Sequence, residues 1–242
     1  MGPGGGQMRM THPGKPGRTR SGRLIERMKR CTAGVAMVEF AVTAPVFLLT
    51  GLGALELSHY ALINLRISQA ATHIADNASR VGESSNLSAL RIYEADIQDL
   101  LIGVRLHAGD GTKLYEHGRV ILSSLQQNSD GGQWIKWQRC MGKKNAQSAY
   151  GVEGDGAMGT GLSGMGPSGR EIEAGSGEAV MYVEIEYDYQ PLVPIALVAP
   201  FTSNSSIRSE SAFIVRGNRD LSQVYTLPTP TTPWTCDKFQ SV

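Results

Sequence analysis

The sequence predicts an α+β protein. A long N-terminal transmembrane helix is expected to continue as an amphipathic stalk, followed by a small extracytoplasmic domain with a helix and an antiparallel sheet of about four strands. Three observations carry this expectation. Sixteen residues from Phe40 to Leu55 contain no charge. Beyond them apolar residues return every three or four positions, and from Arg119 onward the period shortens to two.

The chain has 242 residues, 41% of them hydrophobic, enough to bury a core. Its net charge of +1 hides a division at Gly34. Up to that point eight basic residues oppose Glu26 alone, 8 − 1 = +7, and the remainder carries 15 basic against 21 acidic residues, −6. A basic arm such as "GKPGRTRSGRLIERMKR" can bind nucleic acid, but the apolar run after it makes lipid and positive-inside topology the simpler account, so no nucleic-acid partner is expected. Residues 1–34 are predicted to be a disordered, cleaved basic leader, 35–82 the transmembrane and stalk helix, and 83–242 the periplasmic domain. The predicted placement is a single pass through the inner membrane, N-terminus in the cytoplasm.

Within "CTAGVAMVEFAVTAPVFLL" a carboxylate, Glu39, stands where lipid is expected. A charge there is unfavourable by about 2.5–3.5 kcal/mol at the centre of a span, less towards its end, and so asks for a partner. A cut between Gly34 and Val35 would supply one, because the new α-ammonium would lie about one helical turn from Glu39. The alternative reading is a secretory signal peptide cut near Gly53 or Ala54. A glutamate opening the apolar region argues against it.

These residues resemble the N-terminal segment of TadE-like pseudopilins of the tight-adherence (Flp) pilus system. The resemblance covers roughly residues 24–81 and rests on Gly34, Glu39, Phe40, Pro45, Gly53, Glu56 and Leu57 in a basic-then-apolar context. It implies cleavage between Gly34 and Val35 by a prepilin peptidase, and an assembly role for Glu39, Phe40, Pro45 and Glu56. The implied partners are that peptidase, other pilin-like subunits, the inner-membrane assembly platform and membrane lipid, and the implied function is a structural subunit that assembles or primes a Flp-type pilus and can also reach the extracellular filament. The alternative is a periplasmic binding module or enzyme that uses the helix only as a tether.

After the span, Ile63, Ile67, Ala70, Ile74, Ala78 and Val81 form one helical stripe, either packed on the soluble domain or forming a face for other subunits. "LSALRIYEADIQDLLIGVRL" fits an amphipathic helix with Leu90, Ile97, Leu100, Leu101 and Val104 towards one face. "RVILSSLQQ" and "QWIKWQRC" flank the turn cluster "NSDGG" and predict a hairpin. "AVMYVEIEYDYQ" alternates Met181, Val183, Ile185 and Tyr187 with Tyr182, Glu184, Glu186 and Asp188, a strand with one wet face, and "SIRSESAFIVRG" reads as a fourth strand.

Residues 151–178 are rich in glycine and read as a flexible exposed loop. Their two overlapping Gly-x-Gly-x-x-Gly matches lack the strand before and the helix after that dinucleotide binding needs. The five histidines show no ligand spacing, and Glu184 with Glu186 reads as a solvated strand face. Trp134 and Trp137 read as packing residues. No cofactor, metal or catalytic residue is expected. Cys140 and Cys236, the cysteines beyond the span, are expected to form a disulfide, the alternative being two buried thiols, while Cys31 falls in the leader.

Overall fold

A computed structural model of the chain describes residues 2, 32–81, 90–193, 206–226 and 231–239. The basic leader up to residue 31, apart from Gly2, and the expected boundary at 82/83 lie outside the described residues. Helix α1 runs Thr32–Arg80, α2 Glu94–Ala108 and the short α3 Leu114–His117. The strands are β1 Gly118–Gln127, β2 Gln133–Met141, β3 Ala179–Asp188 and β4 Ser206–Ile214. They form an open antiparallel sheet in the order β2-β1-β3-β4, the expected α+β architecture.

By its contacts the chain divides into Met1–Leu52 and Gly53–Val242, so α1 contributes to both units. In the first, α1 passes through Pro45, and hydroxyls of Thr43 and Thr50 donate to the Glu39 and Val46 carbonyls at 2.8 Å. Such back-bonding hides a hydroxyl that lipid could not satisfy. The helix is long and apolar enough to cross a membrane, and its most apolar stretch is not buried in the protein.

In the second unit the stripe from Ile63 to Ala78 is buried, with Ile67, Ala70 and Ile74 fully inaccessible. It packs in one core with Ile97, Leu101 and Val104 of α2 and with one face of the sheet, including Leu122, Val183 and Ile185. Packing on the domain is therefore what the stripe does. Alanine at two of its positions, Ala70 and Ala78, lets other elements approach the helix closely. The far end of α1 is closed from a distance. Arg219 donates to the carbonyls of Ala78 and Ser79 at 3.0 and 3.1 Å and to that of Val81, and the Arg216 amide donates to Ser79 at 3.0 Å. These donors occupy carbonyls that a helix end leaves without intrahelical partners, and the guanidinium matches the negative end of the dipole.

The hairpin of β1 and β2 has a register shift between Ser124 and Leu125, where Trp137 pairs with Ser124 but Ile135 with Leu125. This bulge at Lys136 lets Trp137 enter the first core while Ile135 faces the opposite side of the sheet.

The opposite face corrects two expectations. Glycine-rich residues 151–178 are largely exposed, as expected, but they are fixed to this face: Met165 and Ala174 pack with Leu125, Ile135, Val180 and Tyr182. Asn128 fastens them, its Nδ2 donating to the carbonyls of Gly156 and Gly159 at 2.7 Å while its Oδ1 accepts from the Asp130 and Gly132 amides. Glycine is required for this close approach, since a Cβ at Gly132 would stand 2.1 Å from the Gly159 oxygen, and one at Gly156 (φ +74°) 2.1 Å from the Gln133 oxygen. Glu184, expected on a wet face, is only 2% exposed. Arg208, the Ser148 hydroxyl and the Ala149 amide satisfy its carboxylate. Burial raises its pKa in spite of those partners. Glu186, at 26% side-chain exposure, keeps a looser contact with Lys144.

Candidate functional site

Two glutamates of α1 define the site, and the structure treats them oppositely. Glu39 lies on the exposed helix with Phe40, 69% exposed, beside it and Val35, 60% exposed, one turn earlier. Among the described residues the Glu39 carboxylate has no hydrogen-bond or ion-pair partner. Because α1 starts at Thr32, the Gly34–Val35 bond lies in its first turn, and nothing lies within 4 Å of where a Gly34 side chain would begin. Val35 and Glu39, four apart, share a helix face. Gly34, Val35, Glu39, Phe40 and Pro45 thus lie along one uncovered stretch of helix.

Glu56 is 2% exposed. Its Oε1 accepts from the Tyr189 phenol at 2.7 Å, and its Oε2 from the backbone amides of Leu192 and Val193, each at 3.0 Å. Burial first, and then the bond to Glu56, raises the pKa of the Tyr189 phenol. Tyr60 of α1 meets Tyr189 edge to face with ring centroids 5.0 Å apart, and His59 meets it at 5.8 Å. The carboxylate is therefore used inside the chain, 133 residues from its phenolic partner. Tyr189, Leu192 and Val193 escape the sequence reading, although the absence of any Asp, Glu, Lys or Arg from Tyr189 to Ile207 sets that region apart.

The disulfide between Cys140 and Cys236 is present, with Cα atoms 4.9 Å apart. It holds the C-terminal segment along the outer edge of β2, where the Cys140 amide donates to the Trp234 carbonyl at 2.8 Å. Arg119, 1% exposed, grips the same segment through the carbonyls of Cys236 and Lys238 at 2.8 and 2.9 Å and stacks under Phe239 at 4.4 Å. Burial lowers its pKa, opposed by Asp237. Buried Arg139 joins Glu94, the first residue of α2, to Glu153 of the glycine-rich segment. Burial alone would lower the Arg139 pKa, and the two carboxylates outweigh it and raise it. The rings of His73 and His107 meet edge to face at 4.5 Å between α1 and α2, a pairing invisible in sequence spacing. Among the described residues no three His, Cys, Asp or Glu side chains gather to hold a metal ion.

What distinguishes this molecule is its exposed apolar helix with one free carboxylate near the start, and comparison with known families singles out the same segment. Residues 34–80 match the family model described as TadE-like protein, which is consistent with a pilin-like protein of Tad pili. The N-terminal helix is TadE-like. No curated protein and no solved structure gave a match. The TadE-like match ends at Arg80 and so includes both Glu39 and Glu56.

Proposed function

We propose that the protein is a pilin-like structural subunit of a Flp/Tad-type pilus. In this reading a prepilin peptidase cuts it between Gly34 and Val35, and the freed helix packs against the helices of other subunits or of the assembly platform. The observation that carries this reading is the uncovered apolar helix with its unpartnered Glu39, within the segment that matches TadE-like proteins. A subunit that meets its partners through this helix must bring its α-ammonium into lipid. Cleavage places that ammonium on Val35, one turn from Glu39, where the two charges neutralise each other. Left unpaired in lipid, the ammonium costs on the order of 4 kcal/mol, which weakens association roughly a thousandfold.

The test is paired. In cells carrying Glu39→Ala, mass spectrometry should find the leader removed as in wild type, while recovery of pili or of the cross-linked assembly complex falls to background. Glu39→Gln should behave like alanine, because it keeps size but not charge. Gly34→Leu should leave the leader attached. Normal pili from processed Glu39→Ala protein would remove the proposed role of this carboxylate, and a mature product of unchanged mass from Gly34→Leu would remove the proposed cleavage site.

A further inference from the structure

Glu56 ends the charge-free stretch that begins at Phe40, so it marks the level at which the apolar helix leaves its lipid environment. A carboxylate at that level would ordinarily turn towards water or a cation. This one is 2% exposed and satisfied by three neutral donors, the Tyr189 phenol and the amides of Leu192 and Val193. The geometry has a consequence for the donors as well, because each bond fixes the chain after β3 to the helix at residue 56. Leu192, whose amide makes one of these bonds, exposes 57% of its surface. Leu55 and Leu57, on either side of Glu56 in the helix, expose 50% and 69%. Tyr60 and Tyr189 pair at the same level, and tyrosine is the residue type enriched where lipid meets water.

We infer that the chain around Leu192 is a second membrane-contacting element, pinned at the lipid surface by Glu56 and seated beside the point where α1 emerges. The inference rests on the reading of α1 as a membrane anchor. Lipid is the partner of choice for two reasons. Leu55, Leu57 and Leu192 are each exposed and apolar, the first two within the helix and the third hydrogen-bonded to it through Glu56, and the described residues after β3 from Tyr189 to Val193 carry no charge with which to recognise a charged partner. Glu56 acts here as a positioning residue: neutral donors let it hold the segment without bringing a further charge to the membrane. A one-residue contact would be weak alone, but a helix already in the bilayer makes it intramolecular.

The full chain, with Cys31→Ser and its disulfide intact, is reconstituted into vesicles of phosphatidylcholine and phosphatidylglycerol. Nitroxide labels are placed in turn at Leu192→Cys, at Leu49→Cys in the apolar helix, and at Met158→Cys, 86% exposed in the glycine-rich segment. Collisions with oxygen report lipid, and collisions with a water-soluble nickel chelate report water. Oxygen should dominate at positions 49 and 192, and nickel at 158. Adding Glu56→Ala should shift the 192 label to the 158 pattern while leaving 49 unchanged, and Glu56→Gln should give a smaller shift in the same direction. An aqueous 192 label beside a lipidic 49 label overturns the inference and leaves the anchor intact. An aqueous 49 label overturns the anchor and the inference together. A lipidic 192 label indifferent to both Glu56 variants, with the Cys140–Cys236 bond still resistant to mild reductant, removes Glu56 as the pin.

Discussion

The two parts of α1 are one helix with two kinds of apolarity. Up to Leu52 the large side chains face outward whichever way they point, Phe47 at 75% exposure and Leu48 at 64% being typical. From Glu56 onward a single stripe is buried, and outside it the side chains are mostly polar or small, with Leu57, Leu62 and Leu65 the large apolar ones left exposed. The first pattern is suited to a surrounding of uniform apolarity, the second to one protein surface and one aqueous surface. Their glutamates differ in the same sense, Glu39 outside any described partner and Glu56 enclosed by three donors. The general lesson is that total hydropathy locates a helix in lipid, while its angular distribution locates it on a domain.

The comparison is most easily broken by truncating one side chain from each part. Ile67→Ala, at a site with no exposure, should lower the stability of the folded domain by about 2–5 kcal/mol in detergent-solubilised protein. Phe47→Ala should change it by no more than about 0.5 kcal/mol. Denaturant melts of the two variants check this, and similar losses would show that the first part of the helix also supports the domain. A smaller effect is expected from Glu56→Ala, which strips three donors of their acceptor and should cost about 1–3 kcal/mol, against no measurable change for Glu39→Ala in the same assay.

The smallest effect sharpens the far end of the helix. Next to Arg219, which closes α1, Asp220 accepts from the Ser222 amide at 2.9 Å and from the Tyr225 phenol. The hydrogen bonds from Ser222 and then Tyr225 hold its pKa down to about 2. A carboxylate depressed in the folded state contributes stability above its unfolded pKa of about 3.9 and loses that contribution as pH falls through the folded value. Its carboxyl carbon resonance should therefore titrate near pH 2 in the wild type and move to the ordinary aspartate range in Tyr225→Phe combined with Ser222→Ala. An ordinary titration in the wild type would show the closure to be open in solution.

Much of this architecture was legible because it rests on local periodicity. The stripe of Ile63, Ile67, Ala70 and Ile74, the hairpin around "NSDGG" and the inward set of Met181, Val183 and Ile185 each repeat at the spacing their element demands. The burial of Glu184 was not legible, because alternation identifies two faces without saying what covers the second. Over Glu184 the cover is Ser148, Ala149 and Arg208, and over Tyr182 it includes a glycine-rich segment whose composition also suits a free loop, set apart by its bonds to Asn128 and the close approach of Gly132 to Gly159. Partners far apart in sequence were equally hidden: Glu56 with Val193 and Arg219 with Ala78 are joined by geometry that no window of residues contains. The position of Glu39 was legible from charge alone, since a lone carboxylate in an apolar run needs no fold to stand out.

The bridge from Cys140 to Cys236 closes a covalent ring over a sequence separation of 96. β3, β4 and the glycine-rich cover lie inside that ring, and α1, α2 and β1 lie outside it. If the protein is loaded mechanically between its helix and its C-terminus, tension runs along the backbone to residue 140, crosses the sulfur atoms and leaves the enclosed residues slack. At about 3.4 Å per extended residue the ring withholds roughly 300 Å of chain from stretching. A pull between those two points therefore meets a tether shorter by that length, and half of the sheet cannot be drawn out as thread while the sulfur–sulfur bond holds.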